Sequence, residues 1–196
     1  MKKLLYIAPH LSTGGLPQYL VKKVELLKDE FEIYVVEWVN HTGGVLVVQR
    51  DKILNLVDPD KFFELGEDKM ELINIINEVQ PDIIHLEEIP EFFMDFEVAK
   101  KIYTKDRNYV IVETSHDSSY DTTQKRFLPD KFMFVSDWQI KQYENIDIPK
   151  VLVEYPIEYI ERPNRGEALR KLGLDPQKKH VLHVGLFTPR DRDWET

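Results

Sequence analysis

The residues best suited to chemistry gather in short polar stretches, each placed just behind an apolar run. "TSHDSSYD" follows "YVIVE" and offers His116, Asp117, Ser118 and Ser119. An imidazole there can donate to a substrate oxygen, or serve as acid or base near neutral pH. The competing reading is a solvent-facing turn in which Asp117 and the serines cap the next helix. Ser115, His116 and Asp117 are consecutive, and neighbours in sequence cannot converge into a nucleophilic relay.

A second stretch, "HLEEIPE", supplies Glu87 and Glu88 with Glu91 close behind. Such carboxylates suit a general base or the binding of acceptor hydroxyls. They equally suit solvated groups that favour the N-terminus of a helix opening at Pro90. A third, "HLSTGGLP", sets Gly14 and Gly15 ahead of Pro17. Adjacent glycines permit positive φ and close backbone approach, proline suits a first helical turn, and the free N–H groups of that turn favour an anion. A plain strand-to-helix turn accounts for the glycines as well as a phosphate cradle does. The spacing is not G-x-G-x-x-G, so the dinucleotide fingerprint is missing.

Other candidates are weaker. His85 lies inside an apolar run and reads as a satisfied core histidine. No H-E-x-x-H pair or similar spacing is present, so no metal site is expected. Cysteine is absent, which removes disulfides, thiolate metal sites and a cysteine nucleophile.

The elements that must hold these stretches follow from periodicity. Short apolar runs predict strands at Leu4–Ala8, Glu32–Val36, Val45–Gln49, Asp82–Leu86, Tyr109–Glu113, Phe132–Val135 and Val151–Glu154. Several are almost continuously apolar, as strands covered on both faces are. Helical spacing predicts helices over about 17–28, 67–79 and 91–103, and a shorter one N-capped by Ser136. In the first of these, Leu20, Val24 and Leu27 form the apolar face and Lys22, Lys23 and Glu25 lie elsewhere. Alternating strands and helices imply right-handed crossovers and a parallel sheet. The expected class is α/β, a Rossmann-like parallel sheet with helices on both faces. Ligands of such sheets bind beyond the carboxyl ends of the strands, where the polar stretches above fall.

The pattern changes near "EYPIEYIERPNRGEALRKLGL", an irregular connector with a short helix about Glu167–Leu172, before a further strand pattern at His180–Phe187. Residues 1–155 are therefore expected to form one domain, and 156–196 a linker plus the first strand of a second, truncated one. With 42% hydrophobic and 11% aromatic residues in a chain of 196, a packed core is expected and disorder is not. The net charge of −9 opposes non-specific binding to nucleic acid or anionic lipid. No nucleic-acid partner is expected, and nothing points to peripheral membrane contact. Leu4–Ala8 is too short for a secretory h-region, and no run approaches ~20 apolar residues. A cytoplasmic, soluble protein is the expectation.

In their order along the chain, "LLYIAPHLSTGGLPQYL", "QPDIIHLEE", "VIVETSHD", "DKFMFVSDWQ", "VEYPIE" and "HVLHVGLFTPR" resemble the N-terminal half of GT-B-fold glycosyltransferases. The likeness is to the large family of retaining enzymes typified by bacterial mannosyl- and glucosyltransferases. It implies two Rossmann-like domains about a cleft, with the acceptor bound mainly by the first and a nucleotide-diphosphate sugar by the second. It further implies that Gly14 and Gly15 lie near the donor phosphate and that His116 contacts the transferring sugar. Glu87, Glu88, Asp117 and Ser118 become acceptor-side candidates. The donor is a substrate, and no cofactor or metal is implied. The acceptor would be a carbohydrate or lipid-linked molecule. Leu186 and Asp191 stand where the family often carries basic residues, which leaves Arg190 as the phosphate partner. On this resemblance the chain, lacking most of the donor site, is expected not to transfer sugar at a normal rate by itself. The alternatives are a GT-B-fold sugar-nucleotide epimerase and a non-catalytic Rossmann-like binding module.

Overall fold

The strands follow one another across a single parallel sheet of seven, and that order decides where a ligand can sit. The structure, a computed structural model, describes residues 1–39, 47–117, 119–157, 159 and 161–181. The chain divides into two compact units, Met1–Pro156 and Ile157–Thr196. The first unit contains β1 (Lys2–Ala8), α1 (Gly15–Leu27), β2 (Phe31–Glu37), α2 (Val48–Leu54), β3 (Phe62–Glu64) and α3 (Glu71–Val79). It continues with β4 (Ile83–Leu86), α4 (Pro90–Phe93), α5 (Phe96–Ile102), β5 (Val110–Ser115), β6 (Lys131–Phe134), α6 (Asp137–Gln142) and β7 (Lys150–Leu152).

The sheet order is β3-β2-β1-β4-β5-β6-β7, with every neighbouring pair parallel. β1 is an interior strand, and its residues 4–8 are buried without a break, as a strand covered on both faces requires. One face packs Leu5, Ile7, Ile84, Leu86 and Ile111 against α3 and α5, and the other packs Leu4, Tyr6, Ala8, Ile33 and Val35 against α1 and α2. Each fully buried aliphatic side chain contributes about 1.5–3 kcal/mol of transfer free energy. The chain runs outward from β1 to β3, returns to β4 on the other side, and continues to β7. The direction of winding therefore reverses between β1 and β4, the switch point where open α/β sheets bind ligands. The α/β, Rossmann-like class is established by this sheet.

Several local expectations are corrected. The strand expected at Val45–Gln49 falls partly on residues outside the described set, and Val48 and Gln49 open α2 instead. Gln49 and Ile53, four apart, are both buried while Val48 is half exposed. That is helical spacing, which the β-branched run disguised. The outer strand is β3, three residues long and so too short to show an alternating pattern. The helix expected at 91–103 is broken by extended backbone at Met94 and Asp95, so α4 and α5 are separate. Ser136 does cap α6, accepting from the Gln139 N–H at 3.3 Å.

In the second unit, α7 (Arg165–Lys171) is N-capped by Asn164, whose side chain accepts from Gly166 and Glu167. Arg165 donates to the carbonyls of Pro176 and Lys178, holding the following turn. His180 and Val181 belong to no strand, and the rest of the expected His180–Phe187 segment lies outside the described residues, as do Leu186, Arg190 and Asp191. Among the described residues no helix is long and apolar enough to cross a membrane.

Candidate functional site

At the switch point the loops after β1, β4 and β5 converge. The loop after β1 is shaped by Gly14, whose φ of 130° belongs to the region that side chains rarely enter. Gly15 is different in kind: it is the first residue of α1, and a Cβ built on it would lie 3.4 Å from the Tyr155 hydroxyl. α1 begins with no side-chain cap and no acidic residue in its first turn. From below, Glu37 at the end of β2 steadies the loop. Its Oε1 accepts from the Leu11 N–H at 2.7 Å, and its Oε2 takes the Arg50 guanidinium at 2.6 Å.

Glu87 and Glu88 follow β4, and both are buried rather than solvated. The Glu87 N–H still donates to Ile7 O at 2.9 Å, so this residue extends the β1–β4 pairing. Its Oε1 pairs with Lys23 of α1, whose ammonium also lies 3.2 Å from His85 Nε2 and over the rings of Tyr6 and Tyr19. Lys23 falls off the apolar face expected for α1. It is instead buried, one turn after Tyr19, because it is drawn to a buried carboxylate. Burial alone would raise the Glu87 carboxyl, but the Lys23 ammonium beside it outweighs that and holds the group down to about 2. Burial, seconded by Lys23, pushes His85 down to about 3. His85 is therefore neutral, and its Nε2 faces the Lys23 ammonium and the Thr114 hydroxyl, 2.7 Å away. An ammonium has only protons to offer, so Nε2 is the acceptor of that ring.

Glu88 spends its carboxylate on backbone. One oxygen accepts from Ile89 N–H at 2.9 Å, the other from His116 and Asp117 N–H at 3.1 Å each. Glu88 thus fastens the loop after β5 to the end of β4. Burial outweighs these three bonds and raises its carboxyl to about 7.

His116 projects into the same space. Its Nδ1 lies 2.8 Å from the Tyr155 hydroxyl, and its Nε2 faces Glu87 Oε2 at 3.7 Å. Tyr19 packs edge-on against it with centroids 5.2 Å apart, contacts the Tyr155 ring, and donates its hydroxyl to Val153 O. Asp117 turns back on its own loop, its Oδ1 accepting from the Ser119 N–H and from the Ser119 hydroxyl at 2.6 Å. Ser118 lies outside the described residues. The structure thus brings together Gly15, Glu87, Glu88 and His116, leaves Asp117 engaged in a turn, and adds Lys23, Tyr19 and Tyr155. Tyr19 carried a usable signal, since it flanks the apolar stripe of α1 by one helical step. Tyr155 had none in its own spacing.

Beside this group lies a second buried cluster. Lys125 donates to Glu91 Oε2 at 2.8 Å, faces Glu113 Oε2 at 3.1 Å, and donates to Phe127 O. Tyr103 donates to Glu113, and the other Glu91 oxygen accepts from the Arg126 and Phe127 N–H groups. Above it opens a hollow of about 670 Å³ lined by Phe92, Ser119, Tyr120, Asp121 and Arg126 among others. Among the described residues no group of His, Asp and Glu is placed to hold a metal ion.

No protein-family model matches the chain, and no curated protein is a detectable relative. Among solved structures the chain is similar to a dTDP-glucose 4,6-dehydratase from Bacillus anthracis in complex with NAD, at 13% identity and a TM-score of 0.37. The match covers 76% of this chain and 53% of the other, so the chain spans about half the length of that protein. The fold class of this chain rests on its own parallel sheet and strand order.

Proposed function

We propose that the first unit is the acceptor-side domain of a retaining glycosyltransferase that uses a nucleotide-diphosphate sugar. The observation that carries this reading is the meeting of two residues at one phenol. His116 Nδ1 lies 2.8 Å from the Tyr155 hydroxyl, and the Cβ position of Gly15 lies 3.4 Å from the same oxygen. The motif resemblance assigns His116 to the transferring sugar and the glycine turn to the donor phosphate. A glycosyl phosphate joins those two groups directly, and the two protein elements stand about one hydroxyl apart.

On this reading the uncapped start of α1 offers backbone N–H groups to the phosphate, and His116 orients a sugar hydroxyl. The leaving diphosphate is stabilised by fixed donors rather than displaced by a protein nucleophile. The hollow beneath the β5 loop, with Phe92 and Tyr120 beside Ser119 and Asp121, is where an acceptor carrying hydroxyls would lie. Glu88 serves by fastening the loop that carries His116.

The test is a titration of the ¹⁵N-labelled chain with UDP-glucose, GDP-mannose and the free diphosphates, followed by NMR shifts. Sugar nucleotides are expected to move the signals of Gly14, Gly15 and His116, weakly and saturably, without product formation. Silence at these residues while another surface responds would replace this reading with that of a binding module. Robust sugar transfer by the 196-residue chain alone would overturn the expectation that it needs a separate donor domain.

A further inference from the structure

We infer that Glu87 is a positioning residue: it fixes the tautomer of His116, so that Nδ1 of the neutral ring is a hydrogen-bond acceptor offered to a ligand hydroxyl. The inference rests, for its functional meaning, on the reading of His116 as a sugar contact, and it names the sugar group concerned.

Two buried polar atoms face each other with no hydrogen-bond partner, Glu87 Oε2 and His116 Nε2, and they stand 3.7 Å apart. Buried polar atoms are almost always paired, and contraction by about 1 Å brings these two to ordinary hydrogen-bond length. An ionised carboxylate has no proton to give. Only a proton on His116 Nε2 satisfies both atoms. The opposite tautomer would set two bare acceptors against each other inside the fold.

The consequence falls on the other ring nitrogen. With Nε2 protonated, neutral His116 carries a lone pair on Nδ1, and the Tyr155 hydroxyl 2.8 Å away must donate to it. Tyr155 is over a third exposed, and its hydroxyl sits beside Gly15. Its phenol therefore stands where a ligand hydroxyl would donate. A hydroxyl can replace it there, whereas an ether or carbonyl oxygen, having no proton, cannot.

The remaining contacts hold this arrangement in place. Glu88 holds the His116 backbone N–H, and Tyr19 packs edge-on to the ring. Lys23 supplies the counter-charge to Glu87 through the other oxygen, so the carboxylate does not need a cationic imidazole to be tolerated in the core. His85 stays a neighbour of Glu87 Oε1 at 3.7 Å and leaves Oε2 to His116.

The test reads the tautomer directly. Long-range ¹H–¹⁵N spectra of the histidine-labelled full chain, recorded at about pH 8, report the protonated nitrogen of each ring, and His116 is identified by its loss in His116→Gln. The wild-type chain is expected to show His116 wholly as the Nε2–H form. In Glu87→Gln the amide keeps its oxygen toward Lys23 and turns its N–H₂ toward Nε2, so His116 is expected to switch to the Nδ1–H form. Where that variant does not fold, Lys23→Met with Glu87→Met replaces the pair by apolar groups of similar length, and a mixture of tautomers is expected. A wild-type ring that is mixed or Nδ1-protonated overturns the inference, as does a ring that stays wholly Nε2–H in the variants. Failure of the sugar reading looks different: the tautomer pattern holds while sugar nucleotides leave His116 unmoved.

Discussion

The molecule buries two lysines among carboxylates, and the two clusters differ in what they leave unpaired. Around Lys125 every carboxylate oxygen has a donor or the cation at hand: the ammonium meets Glu91 and Phe127 O, Tyr103 and two backbone N–H groups take further oxygens, and Glu113 Oε2, without a hydrogen bond, still lies 3.1 Å from the ammonium. The cluster fastens the loop after β5 to α4. Around Lys23 the partners run out: Glu87 Oε2, His116 Nε2 and the Tyr6 hydroxyl are buried without a hydrogen bond. A buried charge marks a costly site in either case. What distinguishes a clamp from a site poised for a ligand is the donor or acceptor left over.

The largest expected effect breaks the clamp. Lys125→Met would leave Glu91 and Glu113 buried without a cation, a change that typically costs about 3–5 kcal/mol. Urea unfolding of the full chain measures it, and a loss below about 1 kcal/mol would show that the cluster does not hold the loop.

The next contrast sets Glu113 against Glu87, two carboxyls buried to the same degree with opposite shifts. Burial, only partly offset by Lys125 and Tyr103, raises Glu113 from 4.5 to about 7. The folded state then binds more protons than the unfolded one between those values. Stability from this group therefore falls as pH rises through that window, and the loss is complete above about 7. Glu88 at about 7 acts in the same direction. Glu87, held at about 2, stabilises above 4.5 and loses that contribution as pH falls toward 2. Neutral His85 likewise loses its contribution as pH falls from 6.5 toward 3. Glu113→Gln should flatten the decline between pH 4.5 and about 7 by up to about 3 kcal/mol. An unchanged slope would remove Glu113 from the account.

The smallest effects separate the two glycines. Gly14→Ala forces a side chain onto a φ of 130° and should cost about 1–3 kcal/mol. Gly15→Ala adds a methyl at ordinary contact distance from Tyr155, so stability should stay within about 0.5 kcal/mol. Equal losses in thermal unfolding would mean that both glycines serve only the turn.

Much of the fold was legible because β1, β2, β4 and β5 each contain adjacent apolar residues rich in Leu, Ile and Val. β3 was not, since three residues carry no period. The loops of the candidate site were legible as places, because polar residues fall at strand ends. Their roles were not. Glu87 and Glu88 are adjacent in sequence, yet one faces the ion pair with Lys23 and the other holds backbone N–H groups, a division decided by which side of the strand end each leaves. Lys23 looked like a surface residue because helical spacing tells which positions are buried only when the residues themselves are apolar. Tyr155 reaches His116 across 39 positions, and no local pattern encodes such a contact.

The placement of β1 also sets a timetable. The first strand of this sequence is an interior one, flanked by Phe31–Glu37 on one edge and Ile83–Leu86 on the other. At roughly 5–20 residues per second, the second neighbour follows the first strand by several seconds. Through that interval β1 has at least one open edge, and the loop that bears Gly14 lacks the β4 loop it faces. The candidate site is therefore assembled from parts far apart in the chain, the loops after β4 and β5 and Tyr155 beyond β7.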